Sequence, residues 1–197
     1  MLKEVKIELT NKCSRNCKHC SSSATSDNKN LYELDFNDVT KIIRDAKLMG
    51  VVTIVFTGGE PMSDLNLLGE MLEICKEKNV YINTTFLENR KDEFIDLVKK
   101  ENINKKFSLY FRADFISRNP EYMKKLSEIG VSMCAVGLEV IEDDVLKKYN
   151  KQSSVNIIMK ALDVLKECNI TCIGLFMVDI DAEVSYFKKL YNFIKKY

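Results

Sequence analysis

Charge of one sign is what this chain conspicuously lacks. Thirty Lys and Arg stand against twenty-nine Asp and Glu over 197 residues, a net charge of +1. That balance offers no global electrostatic attraction to nucleic acid or to a membrane surface. No apolar run reaches the length of a membrane-spanning helix, so none is expected. The opening Met1-Leu2-Lys3-Glu4-Val5 has no apolar stretch of the kind a secretory signal carries. Cysteine is present seven times, an odd set with three clustered and four scattered at Cys75, Cys134, Cys168 and Cys172. Such a set is not a disulfide framework.

Hydrophobic residues make up 46% of the chain and charged residues 30%, a globular composition. The length suits one domain with a sizeable core, and no linker is visible, so residues 1–197 are expected to form a single domain. The three clustered cysteines, Cys13, Cys17 and Cys20, follow a strand-like run at Val5–Leu9 in the spacing C-x3-C-x2-C. Iron–sulfur clusters are commonly held by four cysteines. Three thiolates close together leave one iron free, as catalytic metal sites keep a position open. The rival is a zinc site that adds His19. Adjacent residues rarely point at one metal, and no second cysteine pair follows at zinc-ribbon spacing.

A second motif, Thr57-Gly58-Gly59-Glu60-Pro61, ends the apolar run Val51–Phe56. Two glycines let the backbone turn sharply and approach a ligand closely. Glu60 adds a carboxylate suited to a cationic partner, and Pro61 stiffens the exit. A tight strand-to-helix turn without a ligand is the plainer explanation of that motif taken alone.

Six strand-like runs alternate with helix-like runs: Val5–Leu9, Val52–Phe56, Val80–Phe86, Phe107–Phe111, Val131–Leu138 and Thr171–Ile180. Apolar residues recur at helical spacing between them, as in Phe36, Val39, Ile42, Ile43 and Ala46, behind an Asp35 cap and ahead of Gly50. Asn119-Pro120 starts another helix with proline at its favoured first position. A last stripe, Val184, Phe187, Leu190, Tyr191 and Ile194, marks a sixth helix that runs to the C-terminus. Six βα units require an α/β fold with parallel strands and right-handed crossovers. An open doubly wound sheet and a full or partial barrel both satisfy that pattern. All six strands turn polar at the same end: Asn11 and Cys13; Gly58 to Glu60; Asn83, Thr84 and Thr85; Arg112 and Asp114; Glu139; Asp179 and Asp181. Barrel enzymes place their chemistry at that end.

In this order, after successive strands, the cysteine triplet and the Gly-Gly-Glu-Pro segment resemble the radical S-adenosylmethionine (radical SAM) superfamily, most specifically at these two motifs and more weakly along the whole chain. The resemblance implies a partial (β/α)6 TIM-like barrel. It implies that Cys13, Cys17 and Cys20 hold a [4Fe-4S] cluster, and that S-adenosylmethionine binds the fourth iron through its amino and carboxylate groups. Gly58, Gly59, Glu60 and Pro61 would then hold the amino end. His19 fits a position that is usually aromatic in the family. Asn83 and Thr85, which share strand parity, would contact the ribose or carboxylate, and turn chemistry explains them equally. Arg112, two residues from Asp114 and on the same expected strand face, either contacts the cofactor or substrate or closes an internal salt bridge. Glu139, in Val136-Gly137-Leu138-Glu139, resembles a Gly-x-Glu that closes the fifth strand in the cobalamin-dependent and methylthiotransferase-like branch. It would contact the ribose or methionine end, or cap the next helix. Cys75, Cys134, Cys168 and Cys172 read as small core residues, with no auxiliary cluster expected.

By the same resemblance the activity is reductive cleavage of S-adenosylmethionine to a 5′-deoxyadenosyl radical that takes hydrogen from a substrate. No catalytic residue is expected beyond the cluster and cofactor site. A flavodoxin- or ferredoxin-like electron donor is implied, and an oxygen-sensitive cluster with free thiols suits a reducing cytoplasm. Nothing precedes the first strand or follows the sixth helix in the sequence, which suggests either a minimal enzyme or a fragment. An open-sided barrel suits a macromolecular substrate, whether a peptide or protein or an RNA. The alternative is a non-catalytic iron–sulfur and SAM-binding module that acts only with a partner.

Overall fold

A computed structural model describes residues 2–13, 22–24, 31–61, 65–75, 79–82, 91–104, 106–148 and 153–196. Its elements run β1 (Glu4–Thr10), α1 (Phe36–Leu48), β2 (Thr53–Gly58), α2 (Leu65–Ile74), β3 (Asn79–Ile82), α3 (Lys91–Lys100) and β4 (Phe107–Arg112). They continue α4 (Ala113–Arg118), α5 (Pro120–Glu128), β5 (Val131–Glu139), α6 (Asp143–Lys148), α7 (Val155–Glu167), β6 (Thr171–Phe176) and α8 (Val184–Lys196). Two compact units divide the chain.

The first unit comprises residues 1–110 and 125–132. Here β1, β2, β3 and β4 pair in sequence order, each parallel to the next. Parallel strands covered on both faces read as near-continuous apolar runs, and Ile54, Val55 and Phe56 of β2 are all buried. Asp35 caps α1 by accepting from the Asp38 N–H at 2.8 Å, as its residue type favours. The helix buries Val39, Ile43 and Ala46, and Gly50 follows it with φ +75°. Phe94 and Phe107 meet edge to face, with centroids 5.5 Å apart. At the end of β1 the register slips, so that Glu8 faces Thr57 but Thr10 faces Gly58.

The second unit comprises residues 111–124 and 133–197. Within it β5 pairs parallel with β6, and α7 buries Ile158, Ala161, Leu162, Val164 and Leu165 behind a Ser154 cap. Two features differ from the sequence expectation, and a third adds to it. Helix α4 begins straight after β4, so Asp114 lies in a first helical turn rather than on a strand beside Arg112. Its buried Ala113, Phe115, Ile116 and Ser117 form an inward face too short for a periodicity search to separate from the strand before it. Strand β6 stops at Phe176 instead of Ile180. Beyond it the Asp179 backbone carbonyl accepts from the Ala182 N–H at 3.1 Å in a turn. Finally, α8 has its apolar stripe at the expected spacing, but none of its described residues is buried. Spacing sets which residues share a face; burial also needs a surface to pack against, and β6 is itself largely exposed.

Candidate functional site

The site begins where β1 and β2 end side by side. Gly58 has φ +118°, which L side chains rarely adopt, and a Cβ there would drive into the carbonyl oxygen of Thr10. At Gly59 a Cβ would collide with the carbonyl of Lys12. Both contacts are with backbone, which cannot swing aside. The two glycines are therefore required by the close approach of one strand end to the other.

That approach is bonded. The Gly59 N–H donates to the Thr10 carbonyl, and the Glu60 N–H donates to the Lys12 carbonyl at 2.9 Å. Lys12 is followed directly by Cys13, which is half-buried. Glu60 is only 4% exposed, a carboxylate withdrawn from water beside the chain that leads to the first cysteine. Such a group favours a cationic neighbour.

A returning segment closes the other side. Thr10 Oγ1 donates to the Tyr32 carbonyl at 3.0 Å and accepts from the Lys12 N–H at 3.0 Å. Asn11 Oδ1 accepts from the Tyr32 N–H at 2.9 Å, and the Leu34 N–H donates to the Leu9 carbonyl at 2.8 Å. The Glu8 carboxylate receives the Ser22 hydroxyl at 2.8 Å and the Tyr32 phenol at 2.9 Å. Burial, with the Glu8 hydrogen bond and charge added, raises the Tyr32 phenol above its ordinary pKa. Cys17, His19, Cys20, Asn83 and Thr85 lie outside the described residues.

In the second unit, Arg112 Nε donates to Asp114 Oδ1 at 2.9 Å. The other Asp114 oxygen takes the Arg118 guanidinium, one helical turn on. Asp114 is thus shared by two arginines, and Arg112 already has an anionic partner. Glu139 ends β5 with φ +62°, unusual for a residue with a long side chain. Its carbonyl accepts from the Met177 N–H at 2.7 Å. Its carboxylate lies back over Gly137, where a Cβ would come within 3.0 Å of Glu139 Oε1. Gly137 and Glu139 therefore act as a pair, the glycine leaving room for the acid. Cys134 and Cys172 are direct register partners across β5 and β6. Burial pushes the Cys172 thiol up to about 11 and the Cys134 thiol further in the same direction, so both are uncharged at neutral pH.

Residues 7–194 match the Radical SAM superfamily. The chain belongs to the radical SAM superfamily. An uncharacterized protein of Methanocaldococcus jannaschii is 24% identical over 195 residues, which are 98% of this chain and 58% of that protein. The PqqA peptide cyclase of Gluconobacter oxydans is 31% identical over 104 residues, 51% of this chain and 28% of the cyclase. Streptococcus suis SuiB, solved with S-adenosylmethionine bound, superposes with a TM-score of 0.68 at 16% identity, covering all of this chain and 47% of SuiB. The chain thus spans little more than half, or less, of the relatives it matches. The structural likeness shows the α/β fold of a partial (β/α)6 TIM-like barrel with parallel strands.

Radical SAM proteins use a [4Fe-4S] cluster and S-adenosylmethionine, and the described residues fit both. Cys13 supplies a soft sulfur donor of the kind iron–sulfur clusters need. Glu60 places a buried carboxylate beside the strand end that leads to it, matched in charge to an ammonium group. Motif reading passed over Thr10 and Tyr32, which join the two turns. A hydroxyl residue at the end of an apolar strand, where it can bond the N–H two residues on, is the one sequence signal available for Thr10. Tyr32 acts mainly through its backbone, which no side-chain pattern reveals.

Proposed function

We propose that this chain is the core of a radical SAM enzyme in which residues 1–197 act as one domain, supported by a family match that runs unbroken over residues 7–194. Cys13, Cys17 and Cys20 hold the [4Fe-4S] cluster. Gly58, Gly59, Glu60 and Pro61 receive the amino end of S-adenosylmethionine, with the Glu60 carboxylate facing its ammonium. When bound, the cofactors would supply the hard chemistry, reductive cleavage of S-adenosylmethionine followed by hydrogen-atom abstraction from substrate. The protein's part is to orient and to exclude water. His19, Asn83, Thr85, Arg112 and Glu139 are the further cofactor-binding residues that the resemblance to the family suggests.

The observation that carries this reading is the bonded juxtaposition of the two turns, Gly59 to Thr10 and Glu60 to Lys12. A buried acid beside the backbone of a cluster ligand is superfluous for a protein that only transfers electrons. The substrate is a peptide or protein; a peptide cyclase among the relatives supports that class. The electron donor is a flavodoxin- or ferredoxin-like protein, and the working compartment is the cytoplasm. Among the described residues no helix is long and apolar enough to cross a membrane.

Anaerobic reconstitution with iron and sulfide, followed by metal analysis, tests the site. Four irons per chain are expected in the wild type, with uptake lost in Cys13→Ala, Cys17→Ala and Cys20→Ala alike. Zinc binding in place of iron would overturn the reading.

A further inference from the structure

We propose that Thr10 is a positioning residue that fixes the peptide leading into Cys13 against the Gly-Gly-Glu turn, so that cofactor held at that turn meets the open iron of the cluster in register. The inference rests on the radical SAM reading of this site and adds a residue to it.

Three chain segments meet at Thr10, which is 2% exposed. Its carbonyl accepts from Gly59, its hydroxyl accepts from the Lys12 N–H, and the same hydroxyl donates to the Tyr32 carbonyl. Both hydrogen-bonding roles of the hydroxyl are thus used in a buried place, so the rotor has one orientation available. The consequence falls on Lys12. Its N–H is captured by Thr10 while its carbonyl is captured by Glu60. That carbonyl belongs to the peptide joining Lys12 to Cys13. The peptide plane leading into the first cysteine is therefore bonded to the backbone N–H of Glu60, and Thr10 holds the preceding N–H, that of Lys12.

The side chain is suited to that task in both halves. Valine would keep the shape and lose both bonds, leaving the Lys12 N–H and the Tyr32 carbonyl to find other partners in a part-buried site. Serine would keep both bonds and lose only a methyl group. The two substitutions separate hydroxyl from bulk.

The experiment uses the full chain, reconstituted anaerobically, as wild type, Thr10→Val, Thr10→Ala and Thr10→Ser. S-adenosylmethionine is titrated against the electron paramagnetic resonance spectrum of the reduced cluster, and the cluster potential is measured with and without it. Groups that orient metal ligands typically change affinity about 10- to 100-fold when removed, and a loss of that size in S-adenosylmethionine affinity is expected for Thr10→Val. The cofactor-induced shift in potential should move to correspondingly higher S-adenosylmethionine concentration, while iron content stays at the wild-type level. Thr10→Ser should restore both responses. Should Thr10→Val not fold, Thr10→Ala, which introduces no new bulk, is expected to show the same loss. Wild-type titration behaviour in Thr10→Val or Thr10→Ala, or a Thr10→Ser as impaired as either, would overturn the inference alone. A wild-type cluster that ignores S-adenosylmethionine would instead overturn the site reading, and the inference with it.

Discussion

The backbone N–H of Glu60 donates to the carbonyl of Lys12 at 2.9 Å, so the peptide that leads into Cys13 is held by the residue carrying the buried acid. Two strand ends whose bonded residues are forty-eight positions apart in sequence thereby become one corner. A cluster on one side and an ammonium-bearing ligand on the other would be held at a distance set by backbone hydrogen bonds. Such bonds are short, directional and insensitive to side-chain motion, which is what placing a reacting atom demands.

Gly59→Ala is expected to weaken this corner. The added Cβ meets the Lys12 carbonyl, and only a backbone shift can relieve it. Stability should fall by about 1–3 kcal/mol, the usual range for overpacking, and cofactor affinity should fall with it. Gly69→Ala serves as the control: its Cβ meets the end of the Leu97 side chain at 2.9 Å, which can rotate away. Thermal melts of both variants should rank Gly59→Ala well below Gly69→Ala.

Glu139 carries a different signature. A left-handed backbone costs an ordinary residue about 1–2 kcal/mol, and such strain tends to persist at functional sites. Glu139→Gly removes the strain, offset by about 0.5–1 kcal/mol of glycine entropy. The variant should melt at or slightly above the wild-type temperature yet bind S-adenosylmethionine more weakly. A lower melting temperature with unchanged binding would mark the acid as purely structural.

The thiols of the second unit make stability depend on alkaline pH. Burial holds the Cys172 proton to about pH 11, against an ordinary value of 9.0, and Cys134 shifts the same way. Above the ordinary value the unfolded chain has released these protons while the folded chain keeps them, so stability declines as pH rises. Denaturant midpoints of the apoprotein should be indifferent to these groups below about pH 8 and fall from about pH 9 upward. Cys172→Ala should flatten that decline.

Strand and helix alternation was legible because it is printed in the apolar residues: β2 carries Ile54-Val55-Phe56, all three buried, and α1 has its cap and its glycine in the sequence. The Gly-Gly-Glu motif was legible for a related reason, since Gly58 and Gly59 are demanded by backbone contacts. Helix α4 was not, because six residues give less than two turns of periodicity and Asp114 fits a strand pattern equally. The exposure of α8 was also hidden. Val184, Phe187, Tyr191 and Ile194 form a proper stripe, but a stripe records what a helix is able to bury, and the opposing surface belongs to tertiary structure. The joining role of Tyr32 lies in its N–H and carbonyl, groups every residue possesses.

Formation of 5′-deoxyadenosine tests the central claim most directly. The reconstituted chain is incubated anaerobically with S-adenosylmethionine and dithionite, and the nucleoside is measured by chromatography. Steady accumulation is expected in the wild type, with none in Cys17→Ala. A fully loaded four-iron cluster that yields no 5′-deoxyadenosine would contradict the enzymatic account and favour a non-catalytic module that works only with a partner.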